Sequence, residues 1–385
     1  NTVTLNKTQS FNRIEITIPA GTKTITTSIN GVEDDGFITE EDETIILTPT
    51  VTNGNLVSSD PTTITLLNNS ITLTRKSDPF LGLSKGAVSW GDYDNDGDKD
   101  VVIMGQSSLF GAVTKLYENK NGEFVDTNTS LTKLYDGDIT WVDLNKDGNI
   151  DIVASGYNKS PQMKIYINKV SYFQKATNSY GLPELFSSKM AWGDLDNDGD
   201  IDLAITGIDA SDNYVFDVYY KEDGKDNFIK EIDFSPEGFI NGDLKIVDID
   251  LDGDNDIIYS GELNNGMPMG GVIINSYLGS NSNNWIDSKF YSKNSSIEVY
   301  NKLGNMNYMI MGDFGGTSGF DIKGSYDADL VCNKPKLKNG DISIADFDND
   351  GNLDLVLTGE DENGVPTTEL HVGEKKLDNL PASGG

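Results

Sequence analysis

Apolar and polar side chains alternate with a period of two through much of the chain, in short runs closed by Gly, Asn or Asp, which predicts half-buried strands rather than helices. Five stretches repeat the pattern in one frame: GAVSWGDYDNDGDKDVVIMG, GDITWVDLNKDGNIDIVASG, KMAWGDLDNDGDIDLAITG, GDLKIVDIDLDGDNDIIYSG and GDISIADFDNDGNLDLVLTG. Each predicts a strand, an acidic loop, a second strand ending in Gly, a variable loop and a third strand (TKLYEN, MKIYIN, FDVYYK, TELHVG), with a fourth stretch leading back to the next start. The first aspartates, Asp92, Asp143, Asp194, Asp248 and Asp346, follow one another at 51, 51, 54 and 98 residues. The last interval is nearly double, so a degenerate unit is expected near 299. Aligning Gly304 with Gly253 and Gly312 with Gly261 puts Val299, Asn301, Leu303 and Asn307 at its acidic positions.

Four short antiparallel strands recurring every 50 or so residues make the blade of a β-propeller, so the fold class is all-β. Residues 71–376 divide into six units of 51 residues; six blades are favoured, with seven as the alternative. The last unit runs out near HVGEKK, while ITLTR at 71–75 precedes the first unit where a fourth strand would lie. An N-terminal strand is therefore expected to complete the last blade and remove its open edge. Residues 1–70 alternate around turn signals and predict part of a small β-sandwich. Residues 377–385 read as a polar linker or tail.

Five loops present oxygen ligands at positions 1, 3, 5 and 9 with Gly at 6, where a left-handed backbone turns position 9 back toward the centre. The first offers Asp92, Asp94, Asp96 and Asp100, with the carbonyl of Asp98 at position 7. The second offers Asp143, Asn145, Asp147 and Asp151 with Asn149, and the third Asp194, Asp196, Asp198 and Asp202 with Asp200. The fourth offers Asp248, Asp250, Asp252 and Asp256 with Asp254, and the fifth Asp346, Asp348, Asp350 and Asp354 with Asn352. Hard oxygen donors without His or Cys select Ca²⁺ over transition metals, so about five Ca²⁺ ions are expected, one per loop. Strand-patterned flanks and the lack of Glu at position 12 exclude an EF-hand. Simple turns would leave up to five carboxylates repelling one another within nine residues, which a cation offsets.

Composition narrows the function. The 385 residues carry 62 acidic and 29 basic side chains, a formal net charge of −33, which disfavours nucleic acid and anionic membranes as partners. The five loops hold 22 of the 62 acids, so much of that charge is a metal-binding array. No apolar run reaches the length of a membrane helix, so no direct membrane insertion is expected. The start on Asn1, without Met or a targeting pattern, reads as a processed or excised end. One Cys excludes an internal disulfide, and His371 as the single imidazole leaves no Ser/His/Asp or Cys/His set. Cys332 and His371 read as structural. Trp90, Trp141 and Trp192 stand where Ile246, Ile297 and Ile344 stand in the other units, so packing is expected of them.

These repeats resemble the FG-GAP/VCBS family of calcium-binding propeller repeats, found in integrin α-subunit heads and many secreted bacterial proteins. The resemblance covers about 71–376 and implies Ca²⁺ in the loop between first and second strands, with ligands on the opposite face. Residues 15–69 are similar to the later strands of a Calx-β domain, which beside such a propeller implies a large modular surface protein, often an adhesin. The expected function is a non-catalytic, calcium-stabilised binding or adhesion module, secreted or on the cell surface. Its partners would be a glycan or a surface protein, alongside other domains of a larger chain. The divergent loops after each second strand carry the contact candidates Phe110, Tyr157, Tyr214, Met267 and Phe314. A polysaccharide lyase or hydrolase and a structural spacer are the alternatives.

Overall fold

In the computed structural model, residues 2–6, 26–30, 43–47 and 62–66 are described, and from 80 to 380 all but 171, 223, 232–235, 277–283, 291, 303–304, 314–317, 324–336, 346–353, 362–364 and 373–374. Every regular element among them is a strand. The chain divides after Thr74 into two compact units. In the smaller one, Thr2–Asn6 pairs in parallel with Thr26–Asn30, and Glu43–Leu47 pairs antiparallel with Thr62–Leu66.

The larger unit is a β-propeller of small antiparallel sheets, each a meander in chain order. Sheet 1 comprises Ser84–Gly91, Asp100–Ser107, Gly111–Lys120 and Glu123–Asp126. Sheet 2 comprises Tyr135–Val142, Asp151–Tyr157, Pro161–Asn168 and Phe173–Lys175. Sheet 3 follows with Phe186–Gly193, Asp202–Ile208, Tyr214–Lys221 and Phe228–Lys230. Sheet 4 has Ile240–Val247, Asp256–Glu262, Pro268–Ser276 and Asn284–Phe290. Sheet 5 has three strands, Lys293–Lys302, Asn305–Asp313 and Ser318–Lys323. Sheet 6 has Lys338–Ala345, Asp354–Glu360, Pro366–Val372 and Lys375–Leu380. Among the described residues, five blades have four strands and the degenerate unit has three.

First strands of consecutive sheets lie against one another, and the cores lie between sheets. Val102, Met104 and Leu116 of sheet 1 pack on Ile139, Ile152 and Tyr166 of sheet 2. Val153 and Ile165, one residue along in sheet 2, turn to Leu203 and Ile205 of sheet 3. Second strands read as unbroken apolar runs because both their faces are covered. Main chain is tied across as well: Asp138 accepts the Met190 N–H at 2.9 Å, and Asp243 accepts the Ile297 N–H at 2.9 Å.

Three expectations change. The fourth strand of sheet 6 is Lys375–Leu380, antiparallel to Pro366–Val372. The chain's own C-terminal segment fills the place expected for residues 71–75, which lie outside the described residues, and residues 377–380 are strand rather than tail. In sheet 5, Ile297 faces Ile310 as Leu244 faces Tyr259 in sheet 4, so Val299, not Ile297, takes the place of Ile246. The cause is the turn: Lys302 pairs directly with Asn305, and a two-residue hairpin replaces the nine-residue loop. Val299, Asn301 and Asn307 are strand residues there. Finally, Trp141 stacks on Tyr93 with ring centroids 6.1 Å apart and Trp192 meets Phe228 edge-on, as packing requires; Trp90 likewise meets Phe124 edge-on, with centroids 5.6 Å apart, yet stays 53% exposed.

Candidate functional site

The first four acidic loops fold alike, because the same residues sit at the same turns. Position 6 is in the left-handed region in each, with φ of 97° at Gly97, 84° at Gly148, 83° at Gly199 and 102° at Gly253. In the first loop Asp92 accepts the Asp96 and Gly97 N–H groups at 3.1 Å each, and Asp96 accepts the Asp98 N–H at 2.9 Å. The second loop repeats this with Asp143, Asp147, Gly148 and Asn149, and the fourth with Asp248, Asp252, Gly253 and Asp254. Side-chain oxygens at positions 1 and 3 converge in the first, third and fourth loops, joined by position 5 in the first and by position 9 in the third and fourth.

Position 9 has a second task. Asp100, Asp151, Asp202, Asp256 and Asp354 are fully buried. In the first four, one carboxylate oxygen accepts the N–H of loop position 2 and the other accepts an N–H at the end of the third strand. The pairs are Tyr93 and Asn119 for Asp100, Leu144 and Asn168 for Asp151, Leu195 and Lys221 for Asp202, and Ile249 and Asn275 for Asp256, at 2.7–3.1 Å. The carboxylate clasps the loop to its sheet.

The electrostatics oppose this arrangement in the metal-free protein. Burial pushes Asp202 up to about 7 and Asp151 and Asp256 to about 6, against the hydrogen bonds that favour the charged form. Burial, then the neighbouring Asp198, carries Asp196 to about 6. Asp94 and Asp250 are raised as well, first by burial. In the second loop, which has Asn145 in place of an acid, the Asn149 N–H instead lowers Asp147.

Among the described residues, three sets of acids converge with carboxylate oxygens within 4.8 Å of one another: Asp92, Asp94 and Asp96; Asp194, Asp196 and Asp202; Asp248, Asp250 and Asp256. The third loop supplies a direct test of fit. The Asp194 Oδ1 atom is buried without a hydrogen-bond partner, whereas its counterparts accept the position 5 N–H. A buried anionic oxygen left open among two other carboxylates suits a hard cation. Asp98, Asn149, Asp200 and Asp254, expected to offer carbonyls, also use their side chains. Asn149 accepts from Asn95, Asp200 from Lys146 and Asp254 from Asn197. In the fifth loop only Asp354 is described; Asp346, Asp348, Asp350 and Asn352 lie outside the described residues.

At the other end of the strands, seven or so residues and about 20 Å away, sit the loops joining second to third strands. Phe110 is 63% and Met267 59% exposed, and two residues not singled out in the sequence are exposed as well, Leu109 beside Phe110 and Val365 in the corresponding loop of sheet 6. Tyr157 is occupied: its ring packs edge-on against Tyr135 and Phe186, and its hydroxyl donates to the Lys159 carbonyl at 3.2 Å. Tyr214 is half-buried at the start of its strand, opposite Ile208. Phe314 lies outside the described residues.

Residues 92–154 and 143–205 match the FG-GAP-like repeat family, so FG-GAP-like repeats span the first three loops and the strands between them. Cartilage acidic protein 1 of Xenopus tropicalis is 24% identical over 287 residues, covering 67% of this chain and 43% of that protein. The Mus musculus protein of the same name is 29% identical over 160 residues, 38% of this chain and 24% of that protein. The chain thus spans less than half the length of these curated relatives. Among solved structures, AofleA from Arthrobotrys oligospora is similar over 79% of this chain and 88% of that one, at 14% identity and a TM-score of 0.45. The six-bladed fucose-binding lectin of Aleuria aurantia covers 80% of this chain and 98% of that one, at 10% identity and 0.43.

Proposed function

We propose that this chain is a calcium-stabilised, non-catalytic binding module of a secreted or cell-surface protein, with about five Ca²⁺ ions in the acidic loops and a glycan or protein ligand on the opposite loops. The division of labour between the two ends of the sheets carries this reading. One end crowds carboxylates around open oxygens such as Asp194 Oδ1. The other end carries exposed apolar tips at Phe110 and Met267 on loops held by rigid strands. Extracellular calcium would keep such loops filled, and a chain with one Cys gains from metal the rigidity that disulfides give other secreted domains. The neighbouring unit and other domains of a larger chain would present the module.

The test is a screen of immobilised glycans and surface proteins against the full chain, in calcium and in EDTA. Calcium-dependent capture that Phe110→Ala and Met267→Ala weaken without changing stability is the expected result. Turnover of a polysaccharide by the purified chain would overturn the non-catalytic reading. Calorimetry giving two or fewer bound ions would overturn the loop assignment, which expects about five.

A further inference from the structure

Two sets of side chains outside the aspartate motif join the first four acidic loops, each to the next, and between the third and fourth Asn255 Nδ2 also donates to the Asp194 carbonyl at 2.8 Å. The first set ends the third strands. Asn168 Nδ2 donates to the Tyr93 carbonyl of the preceding loop at 2.7 Å, Lys221 Nζ to the Leu144 carbonyl, and Asn275 Nδ2 to the Leu195 carbonyl at 2.6 Å. Each accepting carbonyl belongs to position 2, whose own N–H is held by the position 9 carboxylate of its loop. The main-chain N–H of Asn168, Lys221 and Asn275 is held by the position 9 carboxylate of the following loop. Hydrogen bonds therefore run unbroken from Asp100 to Asp256 through all four loops.

The second set sits at position 4, in left-handed conformation with φ of 56–60°. Asn95 donates to Asn149 Oδ1 at 3.1 Å, Lys146 to Asp200 Oδ1 at 2.6 Å, and Asn197 to Asp254 Oδ1, each time reaching position 7 of the next loop. In the fourth loop that position is Leu251, with φ of 63°, and the next sheet has a two-residue hairpin instead of a loop. Donors occur where a neighbouring loop exists to receive them and stop where it does not. Side chains that merely solvated the rim would not follow that rule. Both sets end between residues proposed to hold the metal: position 2 lies between ligands 1 and 3, and position 7 between 5 and 9.

We propose that Asn168, Lys221 and Asn275, with Asn95, Lys146 and Asn197, are positioning residues that couple the metal loops, so that Ca²⁺ in one loop raises the affinity of its neighbours. This rests on the calcium reading above. An ion fixes the backbone of its loop, and the tethers carry that order to the adjoining position 2 carbonyl and position 7 side chain. The next ion then has less disorder to remove.

The test follows one site at a time in the full chain, by the Ca²⁺ concentration that half-protects the Gly199 amide from hydrogen exchange. Disabling the fourth loop with Asp248→Asn and Asp250→Asn is expected to raise that concentration about fivefold or more. With Asn197→Ala, Asn275→Ala and Asn255→Ala already present, the same loss should change it by less than about twofold, as for independent sites. In the same way, disabling the second loop should lose its effect on Gly199 when Lys146→Met and Lys221→Met are both present, and keep part of it in Lys146→Met with Lys221→Asn, which installs the residue used by sheets 2 and 4. If the tethers prove necessary for folding, Asn197→Ala alone, at the exposed rim, should reduce the coupling between the third and fourth loops without abolishing it. Third-loop affinity indifferent to the fourth loop, or coupling that survives removal of the tethers, would overturn the proposal. A native chain that binds no Ca²⁺ would remove the calcium reading itself, a different and distinguishable result.

Discussion

Metal-free protein should become more stable, not less, as pH falls from 8 to 5. The perturbation is chelation followed by titration, and the groups chiefly responsible are the fully buried Asp202, held near 7, and Asp151 and Asp256, held near 6, with the half-buried Asp196, also near 6, acting in the same direction. Each stands above its value in the unfolded chain, so the folded state binds protons more tightly, and the stability this confers is complete below about 4 and lost as pH rises through 6 to 7. At 1.36 kcal/mol per pKa unit, the charged form costs about 4 kcal/mol for Asp202 and about 3 kcal/mol each for Asp151 and Asp256. Together they approach 10 kcal/mol, comparable with the whole stability of a typical domain. Asp126, Asp147 and Asp209, which are lowered, lose their contribution only below about 4 and leave the window clear. Urea midpoints followed by tryptophan fluorescence in EDTA should therefore rise steadily from pH 8 to 5. In saturating calcium the slope should reverse, because protons then compete with the ion for the same oxygens. A metal-free midpoint that is flat or falls over this range would refute the account of these carboxylates as buried charges awaiting a cation.

Two further outcomes probe the scaffold. A Cβ built on Gly242 would lie 1.7 Å from the Ser260 carbonyl oxygen of the adjacent strand; Gly242→Ala should force the strands apart and cost about 1–3 kcal/mol or more in the same urea assay, while glycan or protein capture by the opposite loops persists in the folded fraction. The Tyr166 hydroxyl accepts the Thr132 N–H at 2.6 Å and donates to Thr132 Oγ1 at 2.7 Å, pinning the segment between sheets 1 and 2. Tyr166→Phe leaves that N–H without its acceptor and should cost about 1–3 kcal/mol, with no change in the number of ions bound; a neutral substitution would show that water replaces the hydroxyl freely.

What the chain alone determined is what neighbours in sequence decide. Alternation set the strands, because the face a strand residue takes follows from its parity. Glycine at position 6 set the loop turn, because a left-handed backbone is costly for any residue with a Cβ. The convergence of positions 1 and 3 was legible for the same reason. What lay beyond the sequence depended on residues far apart in the chain. Position 9 reads there as one ligand among four, and only burial under two amides from different segments shows it to be the clasp between loop and sheet. Asn168, Lys221 and Asn275 read as ordinary strand ends, although each falls two residues past the slot held by Tyr166, Tyr219 and Ile273; their bonds cross 75, 77 and 80 residues. The direct pairing of Lys302 with Asn305 put Ile297 in a different register, and the outer strand of sheet 6 came from the C-terminal side. Such choices turn on which backbone groups meet once the sheets have packed, and the pattern along a single strand carries no record of them.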